Sequence, residues 1–183
     1  MLQTRIIPCL QLIDESLVKA MQFNKYGYIG DPCNTVRIFN ELEVDELCFL
    51  DIRASIEKRA PNFGILQDIA NECFMPLSYG GGISTFEQAK KIFSIGFEKV
   101  ILNTQAYLNP SIITQISTHF GVQAVVVSVD HGLSVDEQGE WYSGNGYQLG
   151  FAQQNGGYME NSDTGFDQAA VQIHLLEDSV VTS

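Results

Sequence analysis

The chain has 183 residues, of which 45% are hydrophobic and 17% are charged, so it suits one folded domain and global disorder is excluded. A formal net charge of −12 argues against broad nucleic-acid binding, which needs clustered Lys and Arg. No apolar run is long enough for a membrane span, and the N-terminus lacks a signal-peptide core. The four cysteines form no CxxC pair or ligand cluster, which predicts a reduced, cytoplasmic protein without a metal or cofactor.

Strands and helices alternate along the first 130 residues. Apolar runs predict strands at residues 5–12, 46–51, 76–79, 99–103 and 123–130. Between them we predict a helix opened by Asp31-Pro32, one over 63–73, one with a capping box of Ser84 and Glu87 that ends at Gly96, and one from Asn109-Pro110 to Gly121. This alternation predicts a parallel sheet with right-handed crossovers, either an open doubly wound sheet or a (β/α)8 barrel.

The composition changes after residue 130. All ten Lys and Arg lie between Arg5 and Lys99, whereas residues 131–183 contain eight acidic residues and no Lys or Arg. The regular alternation also ends there: residues 141–144 suit a hairpin or loop, and apolar spacing over 166–176 suits one amphipathic helix. We therefore predict a partial barrel over residues 1–145 and a divergent tail over 146–183 that is disordered or forms one helix.

The C-terminal ends of the predicted strands carry polar residues or glycines, where both architectures place their active sites. These residues are Gln11, Asp51, Gly80 to Gly82, Asn103 with Thr104, and Asp130. A carboxylate such as Asp51 or Asp130 can transfer a proton there, and the other interpretation is a helix cap or a salt bridge to the next loop. Gly81 and Gly82 could cradle a phosphate with Asn103 and Thr104, or simply form a tight turn.

The opposite ends of three strands carry charges. Arg5, Glu46 and Lys99 start the first, second and fourth predicted strands, so in a barrel they would meet at the N-terminal mouth. From the residues alone, they form a ring of salt bridges that closes the bottom of the barrel. Cys9 and Cys48 are expected to be buried core thiols.

Five consecutive segments resemble the cyclase subunit of imidazole glycerol phosphate synthase. They read RIIPCL at 5–10, ELCFLDIRAS at 46–55, YGGGI at 79–83, KVILNT at 99–104 and QAVVVSVD at 123–130. The resemblance runs from about residue 1 to 145 and implies a (β/α)8 barrel. It also implies a glutaminase partner in a heterodimer, ammonia as co-substrate and a phosphorylated nucleotide substrate, which is converted to imidazole glycerol phosphate and aminoimidazole carboxamide ribotide in histidine biosynthesis.

The resemblance also implies a role for each matching residue. Asp130 matches a catalytic carboxylate, and Asp51 matches a supporting one. The matches at the substrate phosphate are Gly81, Gly82, Asn103, Thr104 and, in the first active-site loop, Lys19. Arg5, Glu46 and Lys99 match members of a charged gate through which ammonia enters from the glutaminase at the N-terminal face.

Two departures from the family pattern leave other functions open. Gln11 stands where the family has its second catalytic carboxylate, and an amide cannot shuttle a proton as a carboxylate does. With the stretch 30–41, it resembles a subfamily that relays ammonia for sugar amidation in lipopolysaccharide (O-antigen) synthesis. Residues 146–183 do not resemble the family's later strands. This predicts either a frameshift near Asn145, giving an inactive truncated fragment, or a short variant that completes its barrel by dimerising or by docking to a partner.

Overall fold

The computed structural model describes residues 5–21, 25–131, 134–135, 141–142 and 170–174. Five parallel strands form the centre of the sheet: β1 (Cys9–Ile13), β4 (Leu47–Asp51), β5 (Leu77–Gly80), β6 (Lys99–Leu102) and β7 (Val125–His131). The helices between them are α1 (Pro32–Glu41), α2 (Phe63–Glu72), α3 (Phe86–Ile95), α4 (Thr104–Leu108) and α5 (Ser111–Phe120), followed by a 3-10 turn at Val122–Ala124. The remaining strands are β2 (Ser16–Met21), β3 (Lys25–Gly30), β8 (Ser134–Val135), β9 (Trp141–Tyr142) and β10 (Ala170–His174).

The strand order identifies the architecture. The large sheet runs β10-β7-β6-β5-β4-β1-β2-β3, so the five parallel strands lie side by side in chain order. A doubly wound sheet reverses its order at a switch point and places helices on both faces. Here α1 packs on α2, α2 on α3 and α3 on α5, which forms one continuous outer layer. The fold is therefore an unclosed barrel of the (β/α)8 class with five parallel strands.

The main core lies between the strands and this helix layer. Every second strand residue points to the helices, because side chains alternate along a strand. The buried strand side chains are Leu12, Leu47, Phe49, Leu77, Tyr79, Val100, Leu102 and Val125, and they pack with Val36, Leu66, Ile69, Ile92, Ile112 and Ile116 of the helices. The intervening residues form a smaller cluster of Cys48, Ile101 and Val126, with Ile7 and Leu50, on the face that a closed barrel would turn inward.

Local signals explain two of the helix starts. The side chain of Asp31 accepts a hydrogen bond from Asn34 N at 2.8 Å, and Pro32 occupies the first position of α1, as predicted. The capping box of α3 lies one residue later than the sequence predicts. It consists of Thr85 and Gln88, since the helix begins at Phe86 and the Gln88 side chain accepts from Thr85 N at 3.3 Å.

The first and last parallel strands begin later than predicted. Residues 5–8 lie outside β1, because Pro8 has no N–H to donate, and Ile6 is bonded to Asp45 through both backbone groups. The 3-10 turn displaces the start of β7 to Val125. The antiparallel hairpin of β2 and β3 and the short helix α4 were not predicted.

The tail contains a strand where a helix was expected. At Ala170–His174 the backbone pairs antiparallel with β7, with Val171 opposite Asp130, so the helix prediction is wrong for these residues. An open strand edge offers unpaired backbone groups, and β-branched Val171 and Ile173 suit a strand. The rest of 166–176 lies outside the described residues, and the division at residue 145 stays a prediction. Residues 134–135 and 141–142 pair as a hairpin. In the described segments, no helix is long and apolar enough to cross a membrane.

Candidate functional site

The three predicted catalytic residues, Gln11, Asp51 and Asp130, lie on parallel strands of the sheet, and the described side chains are held differently. Gln11 of β1 pairs with Leu50 of β4, and its side-chain oxygen accepts a hydrogen bond from Ala20 N at 3.2 Å. The amide is therefore engaged by the hairpin of β2 and β3. Asp130 lies within β7, and its side chain is outside the described part of the structure.

Asp51 closes the loop that follows β4. Its side chain is 3% exposed, and Oδ1 accepts hydrogen bonds from Arg53 N at 3.1 Å and Ala54 N at 2.9 Å. The guanidinium of Arg59 lies 3.3 Å from Oδ2. Both carboxylate oxygens are thus occupied, and the geometry is that of a salt bridge to the next loop. A supporting catalytic role for Asp51 stays a prediction.

Arg59 is the residue at this edge that the sequence analysis missed. Its guanidinium contacts Asp51, Glu57 at 2.7 Å and Asp14 at 3.5 Å, so it joins the loops after β1 and β4. The hydrogen bond to Glu57, followed by the charge of Asp51, raises the pKa of Arg59. A basic residue eight positions after a strand-end carboxylate was the available signal.

Gly81 and Gly82 are required by close packing. Their φ angles are 122° and 68°, which side chains rarely adopt. A Cβ at Gly81 would lie 2.5 Å from Asp51 O, and one at Gly82 would lie 2.4 Å from Arg59 O. The N–H of Gly82 donates to Ser55 Oγ at 3.3 Å, so this backbone donor already has a partner within the protein.

Asn103 and Thr104 follow β6, the strand next to β5. Gly80 of β5 pairs with Ile101 of β6, and Gly82 and Asn103 each follow two residues later. Asn103 occupies the N-cap position of α4, and Thr104 begins that helix. Lys19 lies exposed on β2, beyond β1 and β4, and the structure does not bring it to this pair. Four of the five predicted phosphate residues therefore follow two neighbouring strands, and a phosphate site that they share stays a prediction.

Arg5, Glu46 and Lys99 meet at the other end of the sheet. Glu46 Oε2 lies 2.6 Å from Arg5 Nη2 and 2.5 Å from Lys99 Nζ. The side chains of Glu46 and Lys99 are 3% and 13% exposed, whereas that of Arg5 is 50% exposed. We call these three residues the charged cluster. It places one buried carboxylate between two cations, one of them open to solvent.

Exposed apolar side chains share this end of the sheet. Ile6 precedes β1, Leu42 follows α1, Phe74 follows α2 and Val122 precedes β7, and their exposed fractions run from 52% to 89%. A cavity of about 580 Å³ opens nearby and is lined by Phe93, Phe97, Lys99 and Phe120 among others. Within the described residues, no three His, Cys, Asp or Glu side chains form a metal site.

Sequentially ordered parallel strands, one helix layer and polar strand ends define a protein of the (β/α)8-barrel class. The chain belongs to the histidine biosynthesis protein family, whose model matches residues 5–154. It is 53% identical over 130 residues to the "Putative imidazole glycerol phosphate synthase subunit hisF2" of Pseudomonas aeruginosa. It is 44% identical over the same length to the "Imidazole glycerol phosphate synthase subunit HisF" of a Thermotoga species.

These alignments differ in how much of each protein they include. They cover 71% of this chain, but 52% of the Pseudomonas protein and 51% of the Thermotoga protein. A Leptospira interrogans relative, 52% identical, is likewise matched over 51% of its length. The chain thus spans about half the length of the curated relatives it matches.

Proposed function

We propose that the protein acts as the cyclase subunit of imidazole glycerol phosphate synthase. In this role it uses ammonia from a glutaminase partner to form imidazole glycerol phosphate and aminoimidazole carboxamide ribotide. The observation that carries the proposal is the charged cluster: Glu46 is almost fully buried between Arg5 and Lys99 at the N-terminal end of a barrel from this family. The four free cysteines support a reducing, cytoplasmic setting for this work.

The roles that we propose for residues at the C-terminal ends of the strands also rest on the similarity to this family. In this proposal Asp130 is the proton-transferring carboxylate, and Asp51 supports it by fixing the loop that carries Arg59. Gly82 and Asn103, which follow two neighbouring strands, contribute to one phosphate site with Gly81 and Thr104. Lys19 joins them only if the hairpin of β2 and β3 moves over the strand ends.

The partner docks, in this proposal, on the end that bears the charged cluster. Soluble proteins rarely leave several large apolar side chains exposed together without a binding role. Ile6, Leu42, Phe74 and Val122 are exposed on segments that enter or leave strands at this end. An apolar rim around a buried ion cluster suits a glutaminase subunit that delivers ammonia directly into the barrel.

The test compares turnover with two nitrogen sources, glutamine supplied through the partner and free ammonium. Lys99→Met removes one cation from Glu46, so we expect glutamine-dependent turnover with the partner to fall at least tenfold while turnover with free ammonium is retained. Lys90→Met, at an exposed position of α3, serves as the matched control and should change neither rate. Equal losses with both nitrogen sources would instead assign the cluster a purely structural role.

Gln11 favours a second function, in which the barrel relays ammonia without cyclising a nucleotide. The amide oxygen accepts a backbone hydrogen bond from Ala20, and an amide does not transfer protons as a carboxylate does. Such a protein would serve a sugar amidotransferase and keep the charged cluster while dispensing with acid–base chemistry. In complex with its partner, such a protein would also lose glutamine-dependent turnover when Lys99 is replaced, but it would form no imidazole product.

A further inference from the structure

Cys9 and Cys48 face each other across two adjacent parallel strands. They are Cα partners in the register of β1 and β4, and their Sγ atoms lie 3.6 Å apart. Neighbouring strands are about 4.8 Å apart, which falls within the range of about 4.4–6.8 Å between Cα atoms that a disulfide spans. Closing the sulfur atoms to about 2 Å therefore needs side-chain rotation and little backbone movement.

The two thiols differ in access, which overturns the expectation that both are buried. Cys48 is 1% exposed, whereas Cys9, the first residue of β1, is exposed. The contact between the two sulfur atoms lowers the pKa of Cys9, and the same contact together with burial raises the pKa of Cys48. The accessible sulfur is thus the better nucleophile, and its neighbour is positioned to attack it in turn.

We propose that Cys9 and Cys48 form an oxidisable dithiol, which a low-molecular-weight disulfide converts to an intramolecular disulfide between β1 and β4. The Cys9 thiolate attacks one sulfur of the reagent, forming a mixed disulfide and releasing one thiolate. Cys48 then attacks Cys9 Sγ and expels the second thiolate. The two thiol protons pass to the two leaving thiolates, so two cysteines are oxidised and one reagent disulfide is reduced to two thiols.

The crosslink would lie next to the charged cluster. Cys48 follows Glu46 by two residues, so both occupy the same face of the sheet, one layer apart. Oxidation would pin β1 to β4 immediately inside the end at which Arg5 and Lys99 meet Glu46. The chemistry of the pair is independent of which reaction the protein catalyses.

Oxidised glutathione tests the proposal on the folded protein. After acid quenching, alkylation and peptide mass spectrometry, we expect one crosslinked peptide pair that joins Cys9 to Cys48. The Cys48→Ala variant should stop at a glutathione adduct on Cys9, and Cys9→Ser should give neither product. The matched control, with Cys33→Ser and Cys73→Ser combined, should form the same crosslink at the wild-type rate.

Two results would overturn the assignment. One is a wild-type protein that retains its far-ultraviolet circular dichroism yet carries only glutathione adducts or free thiols at Cys9. The other is a crosslink that involves Cys33 or Cys73. If a cysteine variant fails to fold, the wild-type peptide map alone decides between these outcomes.

Discussion

At the scale of single residues, Arg59 connects loops that are distant from one another in the sequence. Its side chain reaches Asp14 after β1 and Asp51 after β4, and its carbonyl oxygen lies against Gly82 after β5. Three neighbouring strand ends therefore share one residue. In our proposal for the site, Arg59 sets the position of the phosphate-binding backbone relative to the carboxylates.

Replacing Arg59 by Met should destabilise the fold. The nearly buried Asp51 carboxylate keeps its two backbone donors but loses its ion pair, so we expect a cost of about 1–2 kcal/mol. Arg53→Met removes only an exposed i,i+4 pair with Glu57 and should cost less than about 0.5 kcal/mol. Urea unfolding measures both, and equal costs would show that the Asp51 contact contributes nothing.

The sequence predicts which residues stand at this site, but it does not predict which side chains contact one another there. Asp51 and Gly82 stand out because each follows an apolar strand. The pairing of Arg59 with Asp51 depends on how the intervening loop turns back, and eight residues of loop allow many conformations. For the same reason, the sequence left open whether Asp51 is a catalyst or an anchor.

At the scale of elements, the parallel strands were predictable and the edge strands were not. Strands β4, β6 and β7 are continuous apolar runs because both faces are covered or partly covered. The strand β3 leaves Tyr28 and Ile29 exposed and shows no apolar face to detect. At Ala170–His174, local spacing suggested a helix, while the partner that makes it a strand lies about 40 residues earlier in the chain.

The turn after β5 should tolerate no side chain. Gly82→Ala would place a Cβ 2.4 Å from Arg59 O and 2.9 Å from Ala54 Cβ at a φ of 68°, so we expect a loss of about 2–4 kcal/mol. Gly27→Ala is the matched control, because its nearest contact would be 4.0 Å away at Lys19 O. Thermal unfolding compares the two, and an unchanged melting temperature in Gly82→Ala would contradict this packing.

At the scale of the whole molecule, the two ends that carry the proposed sites are joined by one sheet. The charged cluster lies where the parallel strands begin, and Asp51, Gly82 and Asn103 lie where they end. Cys9, Cys48 and Gln11 occupy the face between them. In our proposal this face is the route from the partner to the substrate, and its closure needs more strands than the described part of the chain provides.

Alkaline pH should lower the stability of the folded protein, because a tyrosine in its core resists ionisation. Burial, followed by the charge of Asp51, raises the pKa of Tyr79 above its ordinary value near 10. The unfolded chain therefore loses this proton first, so the stability that Tyr79 contributes is present below about pH 10 and is lost as the pH rises further.

The Tyr79→Phe variant keeps the ring that packs edge-on against Phe97 but removes the ionisable hydroxyl. We expect a shallower loss of stability above about pH 10 than in the wild type. Tyr28→Phe, at a side chain that is 70% exposed, should leave the profile unchanged. Urea unfolding across pH 8–11 is the measurement, and identical wild-type and Tyr79→Phe profiles would refute the assignment.

The most direct test of the cyclase proposal is ammonium-dependent formation of imidazole glycerol phosphate by the Gln11→Asp variant. If the protein is a cyclase that lacks one of two proton-transferring groups, restoring a carboxylate should raise the rate by about 10²–10⁴-fold. Gln11→Asn should give no increase, because it shortens the side chain without adding a carboxylate. Absence of imidazole product from the wild type and from Gln11→Asp alike, with both proteins folded, would contradict the cyclase function and favour ammonia relay.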